Sequence, residues 1–149
     1  MKSSDTIAAV LTSKGHQLWH IEPNATVYDA IKLMAERRIG ALLVMSTGTL
    51  RGIISERDYA RKVILMDRSS RDSRVEEIMT TPVITVTPEN TVDECMRIMT
   101  EKRIRHLPVV QGTSVAGVVT IGDLVKWIIS SHEETIEQLQ AYITGSYPA

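Results

Sequence analysis

The chain has 149 residues, of which 43% are hydrophobic and 23% are charged, and these proportions are typical of a folded globular protein. Its formal net charge of −1 provides no overall basic field that would attract nucleic acid. Because Cys95 is its single cysteine, an intramolecular disulfide and a zinc site built on paired cysteines are both excluded.

The amino-terminal segment, residues 1–13, has no long apolar run behind a basic cluster, so no signal peptide is predicted. No stretch approaches the roughly 18 apolar residues that a membrane span requires. The sequence therefore predicts a soluble protein of a reducing compartment, most simply the cytoplasm.

The sequence repeats itself at an offset of 65 residues: residues 23–59 align without a gap with residues 88–124. A separate unit of about 60 residues would bury too small a share of its surface to be stable alone, so the two copies are expected to share a core. Eleven of the aligned pairs are identical, namely Pro23/Pro88, Thr26/Thr91, Val27/Val92, Met34/Met99, Glu36/Glu101, Arg38/Arg103, Ile39/Ile104, Leu42/Leu107, Val44/Val109, Gly52/Gly117 and Asp58/Asp123.

The first copy opens with an extended segment at residues 18–21. Thr26 is a candidate cap for the helix that follows, in which apolar residues recur at i, i+3, i+4 and i+7 and predict one buried face. Two β-rich runs come next, residues 41–45 and 50–54, with Gly48 in the turn between them. A second helix is predicted to close the copy.

The second copy predicts the same elements in the same order. An extended segment at residues 83–86 precedes a candidate cap at Thr91, and the β-rich runs lie at residues 106–110 and 115–119 around a turn at Gly112. Each copy is therefore a predicted β-α-β-β-α unit, with a small sheet that carries its helices on one face.

Two segments lie outside the repeated unit. The link at residues 66–74 is polar and is predicted to be an exposed loop. In the tail, the spacing of Ser131 and Glu134 is typical of a helix cap and predicts an extra helix beyond the repeat. That helix is expected to pack on its own module or on a dimer partner, and a docking surface for another protein is the alternative.

Five strings of the two copies carry a family resemblance. In the first copy, residues 26–34 read Thr-Val-x-x-Ala-Ile-x-x-Met, residues 38–42 read Arg-Ile-Gly-Ala-Leu, and residues 52–58 read Gly-Ile-Ile-Ser-Glu-Arg-Asp. In the second copy, residues 103–110 read Arg-Ile-Arg-His-Leu-Pro-Val-Val and residues 117–123 read Gly-Val-Val-Thr-Ile-Gly-Asp. This ordered set, present twice, resembles the cystathionine-β-synthase-type (CBS) domain.

The resemblance implies an α/β (α+β) fold in which tandem β-α-β-β-α repeats pack with pseudo-twofold symmetry. It divides the chain into a first CBS domain at residues 7–65, a linker at 66–74, a second CBS domain at 75–130 and a carboxy-terminal helix and tail at 131–149. It also implies a homodimer and an adenosine-containing ligand, such as AMP, ADP, ATP, S-adenosylmethionine or NAD, in the clefts between the copies. The chain leaves no room for a fused enzyme, so we expect a stand-alone regulatory module that acts on an unidentified protein.

The motifs Ser55-x-x-Asp58 and Thr120-x-x-Asp123 have two interpretations. On the residues alone each is a helix capping box, in which the hydroxyl and the acid each satisfy a backbone N–H group. Alternatively, the same helix start binds phosphate, and the carboxylate accepts both hydroxyls of a ribose. The resemblance favours the second interpretation, because in CBS domains the hydroxyl residue contacts phosphate and the Asp binds ribose.

The copies differ in charge at one place, where Arg105 and His106 stand opposite Gly40 and Ala41 of the first copy. Arg presents a planar fork of donors to phosphate, and His adds a donor that depends on pH; the alternative is two exposed polar residues at the start of a strand. The resemblance pairs the ribose-binding Asp of one copy with the adenine pocket of the other. The better cleft is therefore predicted to consist of Thr120, Asp123, Arg105, His106, Ile39, Gly40, Ala41, Trp19 and His20.

The second cleft is expected to be narrower, because the bulky Arg105 and His106 intrude on it. Arg57 would provide its positive charge, although a solvated helix residue is an equally good interpretation. The candidate residues of this second cleft are Ser55, Arg57, Asp58, Val83, Ile84, Thr85 and Ile104.

The remaining candidates have structural explanations. Trp19 and Trp127 are expected to pack in the core or at an interface, although Trp19 could also stack on a base. Cys95 falls on the buried helix stripe and is expected to be an inert, packed thiol.

Three functions remain to be distinguished. The favoured one is a non-catalytic sensor of AMP, ADP, ATP or an NAD-type nucleotide. A scaffold protein with vestigial clefts is the main alternative. An enzyme is disfavoured because the sequence has no metal cluster, catalytic triad or Walker loop, and nucleic-acid binding is disfavoured by the net charge.

Overall fold

A computed structural model describes the protein from residue 4 to residue 144; residues 145–149 of the predicted tail, like residues 1–3, lie outside this range. The fold is of the mixed α+β class that was predicted. The helices and strands follow one another as α1 (Ile7–Lys14), β1 (His20–Ile21), α2 (Val27–Arg37), β2 (Ala41–Ser46), β3 (Thr49–Ser55), α3 (Glu56–Tyr59), a π-helical turn (Ala60–Ile64), α4 (Val75–Ile78), α5 (Val92–Lys102), β4 (His106–Gln111), β5 (Ser114–Thr120) and α6 (Ile121–Thr144).

The first helix of each repeat forms as predicted. The hydroxyl oxygens of Thr26 and Thr91 accept hydrogen bonds from the backbone N–H groups of Asp29 and Glu94, so both threonines cap their helices. The faces that the spacing assigned to the core are buried in both helices. Each helix ends at an arginine in the left-handed conformation, with φ 56° at the first copy's position and φ 55° at the second's, which turns the chain sharply into the following strand.

The strands form two antiparallel hairpins, β2–β3 and β4–β5, that have the same register. Gly48 and Gly112 lie in their turns with φ 78° and 63°, a backbone conformation that glycine adopts without steric cost. The predicted extended segments are shorter than expected. β1 pairs with β2 in parallel over two residues, and in the second repeat only Val86 pairs, with Val109.

The two repeats exchange their leading helices in a reciprocal way. At the start of α1, the N–H of Ile7 donates to the carbonyl of Asn90 in the second repeat. At the start of α4, the N–H of Val75 donates to the carbonyl of Ala25 in the first repeat. Asn90 and Ala25 are separated by the repeat offset of 65 residues, so the exchange obeys the predicted pseudo-twofold symmetry.

The exchange determines the composition of the two cores. The second core contains Leu11 of α1, and the first core contains Ile78 of α4. The repeated glycines show how closely these elements approach. A Cβ atom added to Gly117 would lie 2.7 Å from Cδ2 of Leu11, and one added to Gly52 would lie 2.7 Å from Sδ of Met79. The identity of the Gly52/Gly117 pair is therefore explained by close packing of the exchanged segments.

The tail is helical as far as Thr144, as predicted, but it continues the last helix of the second repeat and does not begin at Ser131. α6 runs without a break from Ile121 to Thr144, and Ser131 lies in its interior, where its hydroxyl donates to the carbonyl of Trp127, 3.1 Å away. Serine satisfies its hydroxyl in this way inside a helix as readily as it caps one, so the Ser131-x-x-Glu134 spacing did not mark a helix start.

The link between the repeats is only in part the exposed loop that was predicted. Met66 is 67% exposed, but Ser73 is buried at 3%. The carbonyl of Ser73 accepts a hydrogen bond from the N–H of Val27, and the guanidinium of Arg71 lies 4.0 Å from the ring centroid of Tyr28. The link therefore packs on the start of α2 and satisfies backbone donors there.

Candidate functional site

A cleft of about 560 Å³ lies between the two repeats. Five places in the fold contribute its walls: the end of α1 with the residues after it, the end of α2 with the start of β2, Ile53 in β3, the start of β4, and the junction of β5 with α6. Seven of the nine residues that the sequence assigned to the better cleft line it, namely Trp19, Ile39, Gly40, Ala41, Arg105, His106 and Thr120.

The starts of β2 and β4 meet in this cleft. A Cβ atom added to Gly40 would lie 3.6 Å from Cε1 of His106 and 3.7 Å from its Nε2. A side chain at residue 40 would therefore be in ordinary van der Waals contact with the His106 ring. Because glycine has no Cβ, this methyl-sized space between the two repeats is left unfilled.

The junction of β5 and α6 forms a capping box. The N–H of Thr120 donates to Oδ2 of Asp123 at 2.9 Å, and the N–H of Asp123 donates to the hydroxyl oxygen of Thr120 at 3.1 Å. The structural interpretation of this motif is therefore confirmed. It leaves the start of a 24-residue helix at the cleft, where Ile121 and Gly122 form part of the wall, and helix starts favour anions.

Lys14 brings a charge into this cleft that the sequence did not reveal. Its ammonium nitrogen lies 2.5 Å from Oδ2 of Asp123 and donates to the carbonyl of Val118 at 2.7 Å. The carboxylate of Asp123 is therefore ion-paired within the protein and does not itself line the cleft. Lys14 reaches this position because α1 packs on the second repeat and ends there, at Gly15 with φ 100°.

His106 is the titratable group in this cleft with a perturbed pKa. Burial lowers the pKa of His106 below its ordinary value, the positive charges of Lys14 and Arg105 lower it further, and Asp123 acts in the opposite direction. The neutral imidazole is therefore favoured at neutral pH. A phosphate brought beside it would favour the protonated, donating form.

Trp19 and Arg37 form a stacked pair at one wall, with the guanidinium carbon 4.2 Å from the ring centroid. The predicted packing of Trp19 is confirmed, since it packs against the first core while lining the cleft. His20 is exposed and lies outside the lining, so its assignment to the cleft was wrong. Successive side chains of an extended segment point to opposite sides. Trp19 points toward the cleft, so the next residue, His20, points away from it.

The second predicted site has a different character. Asp58 is buried at 7% exposure, and one of its oxygens accepts hydrogen bonds from the N–H and hydroxyl of Ser55. Its other oxygen accepts from the Thr80 hydroxyl at 3.0 Å and lies 3.0 Å from the ammonium of Lys62. Asp58 is thus a fully partnered structural acid, and the capping interpretation is confirmed here too.

The other residues assigned to the second site differ in their surroundings. Arg57 donates to the carbonyl of Arg103 at 2.8 Å, so it connects the two repeats. Ile104 packs against the second core, and Ile84 is 37% exposed. The last two predicted residues of this site, Val83 and Thr85, lie on the half-exposed segment before Val86.

Sequence reasoning missed several residues that line the first cleft, above all Lys14, Gly15, Gln17, Arg37 and Arg38. Arg37 and Arg38 directly precede the Ile-Gly-Ala string, so their positive charge beside the pocket could have been predicted from the sequence. Lys14 was not detectable, because its position depends on the exchange of α1.

The other candidates behave as structural residues. Cys95 is completely buried, and burial raises the pKa of its thiol to about 11, as expected for an inert side chain. Trp127 packs against the second core and donates from Nε1 to Asp5 at 2.8 Å. Within residues 4–144, no three His, Cys, Asp or Glu side chains form a group that could hold a metal ion. The described helices include none with the length and apolar character to cross a membrane.

Comparison with known proteins gives a consistent result. The family model of the CBS domain matches the chain twice, at residues 10–65 and 75–130. The CBS domain-containing protein CBSX3, mitochondrial, of Arabidopsis thaliana is 45% identical over 154 aligned residues, which cover 97% of this chain and 74% of that protein.

Two solved structures extend the comparison. One, from Burkholderia ambifaria MC40-6 and described as a candidate signal-transduction protein with CBS domains, is 52% identical with a TM-score of 0.81 and covers 84% of this chain and 94% of its own. The other is the CBS domain pair of protein MJ0100 in complex with 5′-methylthioadenosine and S-adenosyl-L-methionine. It is 26% identical with a TM-score of 0.76 and covers 87% of this chain and 99% of its own.

Proposed function

Since this chain belongs to the CBS domain family, we propose that it is a non-catalytic regulatory module that binds an adenine nucleotide in the cleft between its repeats. AMP, ADP, ATP and NAD-type compounds are the candidates. The observation that carries the proposal is the composition of that cleft, which joins a small-residue wall to a cationic wall beside a helix start. A solved relative with the same fold holds adenosine-containing ligands.

The walls suggest how the parts of a nucleotide would be distributed. The adenine would lie against Ile39, Gly40 and Ala41, where two small residues allow close approach to the backbone. The phosphate would lie at the start of α6 near Thr120, with Arg105 as a bidentate donor. His106 would add a hydrogen bond once protonated.

Asp123 is the proposed ribose-binding residue, and its pairing with Lys14 has a consequence for binding. A ribose diol can occupy the Asp123 carboxylate only if the Lys14 ammonium moves or shares it. The side chains of Lys14 and Asp123 are 34% and 24% exposed, so both groups stay in contact with solvent when the pair opens. Each hydroxyl of the ribose would form a charge-assisted bond to the carboxylate, as Lys14 does, so the exchange replaces one such bond by two and is energetically feasible.

The site around Ser55 and Asp58 is proposed as the weaker of the two. Asp58 already accepts bonds from Ser55 and Thr80 and pairs with Lys62. A ribose would have to replace partners in a buried environment, where losing a hydrogen bond costs about 1–3 kcal/mol. We therefore expect the cleft between Gly40 and Thr120 to fill first.

We further propose that the module forms a homodimer through α6. Large apolar side chains on this helix are exposed at heptad positions, which is the pattern of a helix that packs on another helix: Val125, Ile129, Ile136, Leu139 and Ile143. The second half of α6 is exposed along most of its length, which favours a partner chain over packing on its own module. Size-exclusion chromatography with light scattering tests this, with Ile136→Asp and Leu139→Asp expected to give monomers.

Regulation would follow from differential binding. A nucleotide that contacts both repeats stabilises the relative arrangement in which the cleft is closed, and it shifts the equilibrium only by its difference in affinity between the two arrangements. A target protein would recognise that arrangement. We expect this to take place in the cytoplasm, although the plant relative is mitochondrial by name.

Isothermal titration calorimetry with AMP, ADP, ATP, NAD and S-adenosylmethionine tests the proposal. Asp123→Ala should weaken nucleotide binding at least tenfold, because the ribose loses its acceptor. Asp93→Ala is the matched control, since Asp93 forms a surface pair with Arg97 on α5, away from the cleft. Unchanged affinity in Asp123→Ala would refute the ribose assignment.

A scaffold protein with vestigial clefts is the second candidate, and one observation favours it. Both acids of the Ser/Thr-x-x-Asp motifs have internal partners, since Asp58 is saturated and Asp123 is paired with Lys14. Capping alone then accounts for the motifs. If no adenosine compound produces heat or a shift in melting temperature, the scaffold function stands and the sensor function is wrong.

A further inference from the structure

The charges around the first cleft are strongly one-sided. Four full cations are among the residues that line it: Lys14, Arg37, Arg38 and Arg105. Among the described residues, none of those that line the cleft carries a carboxylate. Because the whole chain carries a net charge of −1, this local excess is a feature of the cleft and does not reflect the composition. A concave site lined by one sign of charge concentrates ligands of the opposite sign.

The acid closest to the cleft does not balance this charge. Asp123 is neutralised by Lys14, at 2.5 Å, which leaves the three arginines without a carboxylate in the lining. The Lys14 ammonium has three N–H donors, and its contacts with Asp123 and Val118 use two of them. The third donor can bind a ligand oxygen while the ion pair stays in place.

The cations belong to both repeats. Arg37 and Arg38 end α2 of the first repeat, and Arg105 begins β4 of the second. Lys14 comes from α1, which packs in the second core. A ligand that satisfies all of them must carry negative charge toward both sides of the cleft. With Lys14 paired to Asp123, the uncompensated charge of the lining is that of its three arginines. One phosphate monoester carries about −1.5 to −2 at neutral pH, which is less than that charge.

On the premise that the proposed function holds, we infer that this cleft selects an adenosine that carries two or more phosphates, and that Lys14 is a specificity-determining residue for that polyphosphate. The same charge disfavours S-adenosylmethionine, because its sulfonium and ammonium groups outweigh its carboxylate and leave the molecule with a net positive charge, although a relative with the same fold binds that compound. We therefore assign this cleft to anionic ligands, whereas the relative with the same fold binds a positively charged one.

Titration of the wild-type protein tests the ligand class. We expect affinity to rise from adenosine to AMP to ADP, with S-adenosylmethionine weaker than AMP. The affinity for ADP should fall with added salt more steeply than that for adenosine, because only the former depends on charge. S-adenosylmethionine binding as tightly as ADP would overturn the inference and leave the proposed function standing. If no adenosine compound binds, the proposed function itself is wrong.

Lys14→Met tests the specificity residue, with Lys32→Met as the matched control, because Lys32 is exposed on α2 and lies outside the lining. Loss of one charge-assisted bond should weaken ADP binding about tenfold. Adenosine should bind as well as before or more tightly, since Asp123 becomes available to the ribose. An equal loss for adenosine and ADP, or an equal loss in the control, would overturn the role of Lys14. Melting temperatures of both variants check that they are folded.

Discussion

Leu11 provides the most direct test of the exchanged helices, because this α1 side chain is buried in the second core against one of the repeated glycines. It is 1% exposed, and its methyl groups lie against Gly117, where a Cβ atom would come within 2.7 Å of Cδ2. Leu11→Ala removes this contact and leaves a cavity that the rigid hairpin fills poorly. Such truncations cost about 2–5 kcal/mol, a large share of the roughly 5–15 kcal/mol by which a domain is stable.

Urea denaturation followed by circular dichroism measures the change in the free energy of unfolding. Leu65→Ala is the matched control, because Leu65 is 75% exposed and its truncation should change stability by less than about 0.5 kcal/mol. Because α1 carries Lys14 to the cleft, nucleotide affinity should fall together with the stability of Leu11→Ala. A loss of less than about 1 kcal/mol in Leu11→Ala would show that α1 is not part of the second core.

Three further predictions concern single residues. Asp58→Asn should lower the free energy of unfolding, measured by urea denaturation, by about 1–3 kcal/mol, because this acid is buried and fully partnered. If Asp58→Asn were no more destabilising than Asp123→Asn, the structural role assigned to Asp58 would be contradicted. Cys95 should react with a thiol reagent at mildly alkaline pH only as fast as the protein unfolds, since its pKa is raised to about 11, and rapid labelling of the folded protein would refute its burial. The folded state holds the pKa of His106 below its ordinary 6.5, so the unfolded state binds more protons and the free energy of unfolding should fall as pH drops through that value. His106→Asn should make the free energy of unfolding depend less steeply on pH. An NMR titration midpoint of His106 at or above 6.5 in the free protein would contradict the lowering of its pKa by burial.

Local patterns predicted the capped helices and the hairpins of both repeats correctly. Thr26 and Thr91 cap their helices, the helical stripes are buried, and Gly48 and Gly112 turn the hairpins, because each of these features depends on neighbours only a few residues away. The repeat offset also predicted that the copies differ in charge at Arg105, which lies in the cleft.

Features that depend on distant segments were not predictable in the same way. No periodicity in α1 or α4 reveals that each packs on the other repeat, since that choice depends on hydrogen bonds such as Ile7 to Asn90. The pairing of Lys14 with Asp123 follows from that exchange and was missed with it. Ser131 shows a different limit, because the same hydroxyl can cap a helix or bond within one, and only the continuation of α6 decides between them.

The central claim is that the cleft lined by Gly40 and Thr120 binds an adenine nucleotide. A crystal structure of the protein after soaking with ADP tests it most directly. We expect density for adenine against Gly40 and Ala41 and for phosphates between Arg105 and the start of α6, with the ribose at Asp123. A cleft that stays empty at saturating ADP, with Lys14 still bound to Asp123, would contradict it.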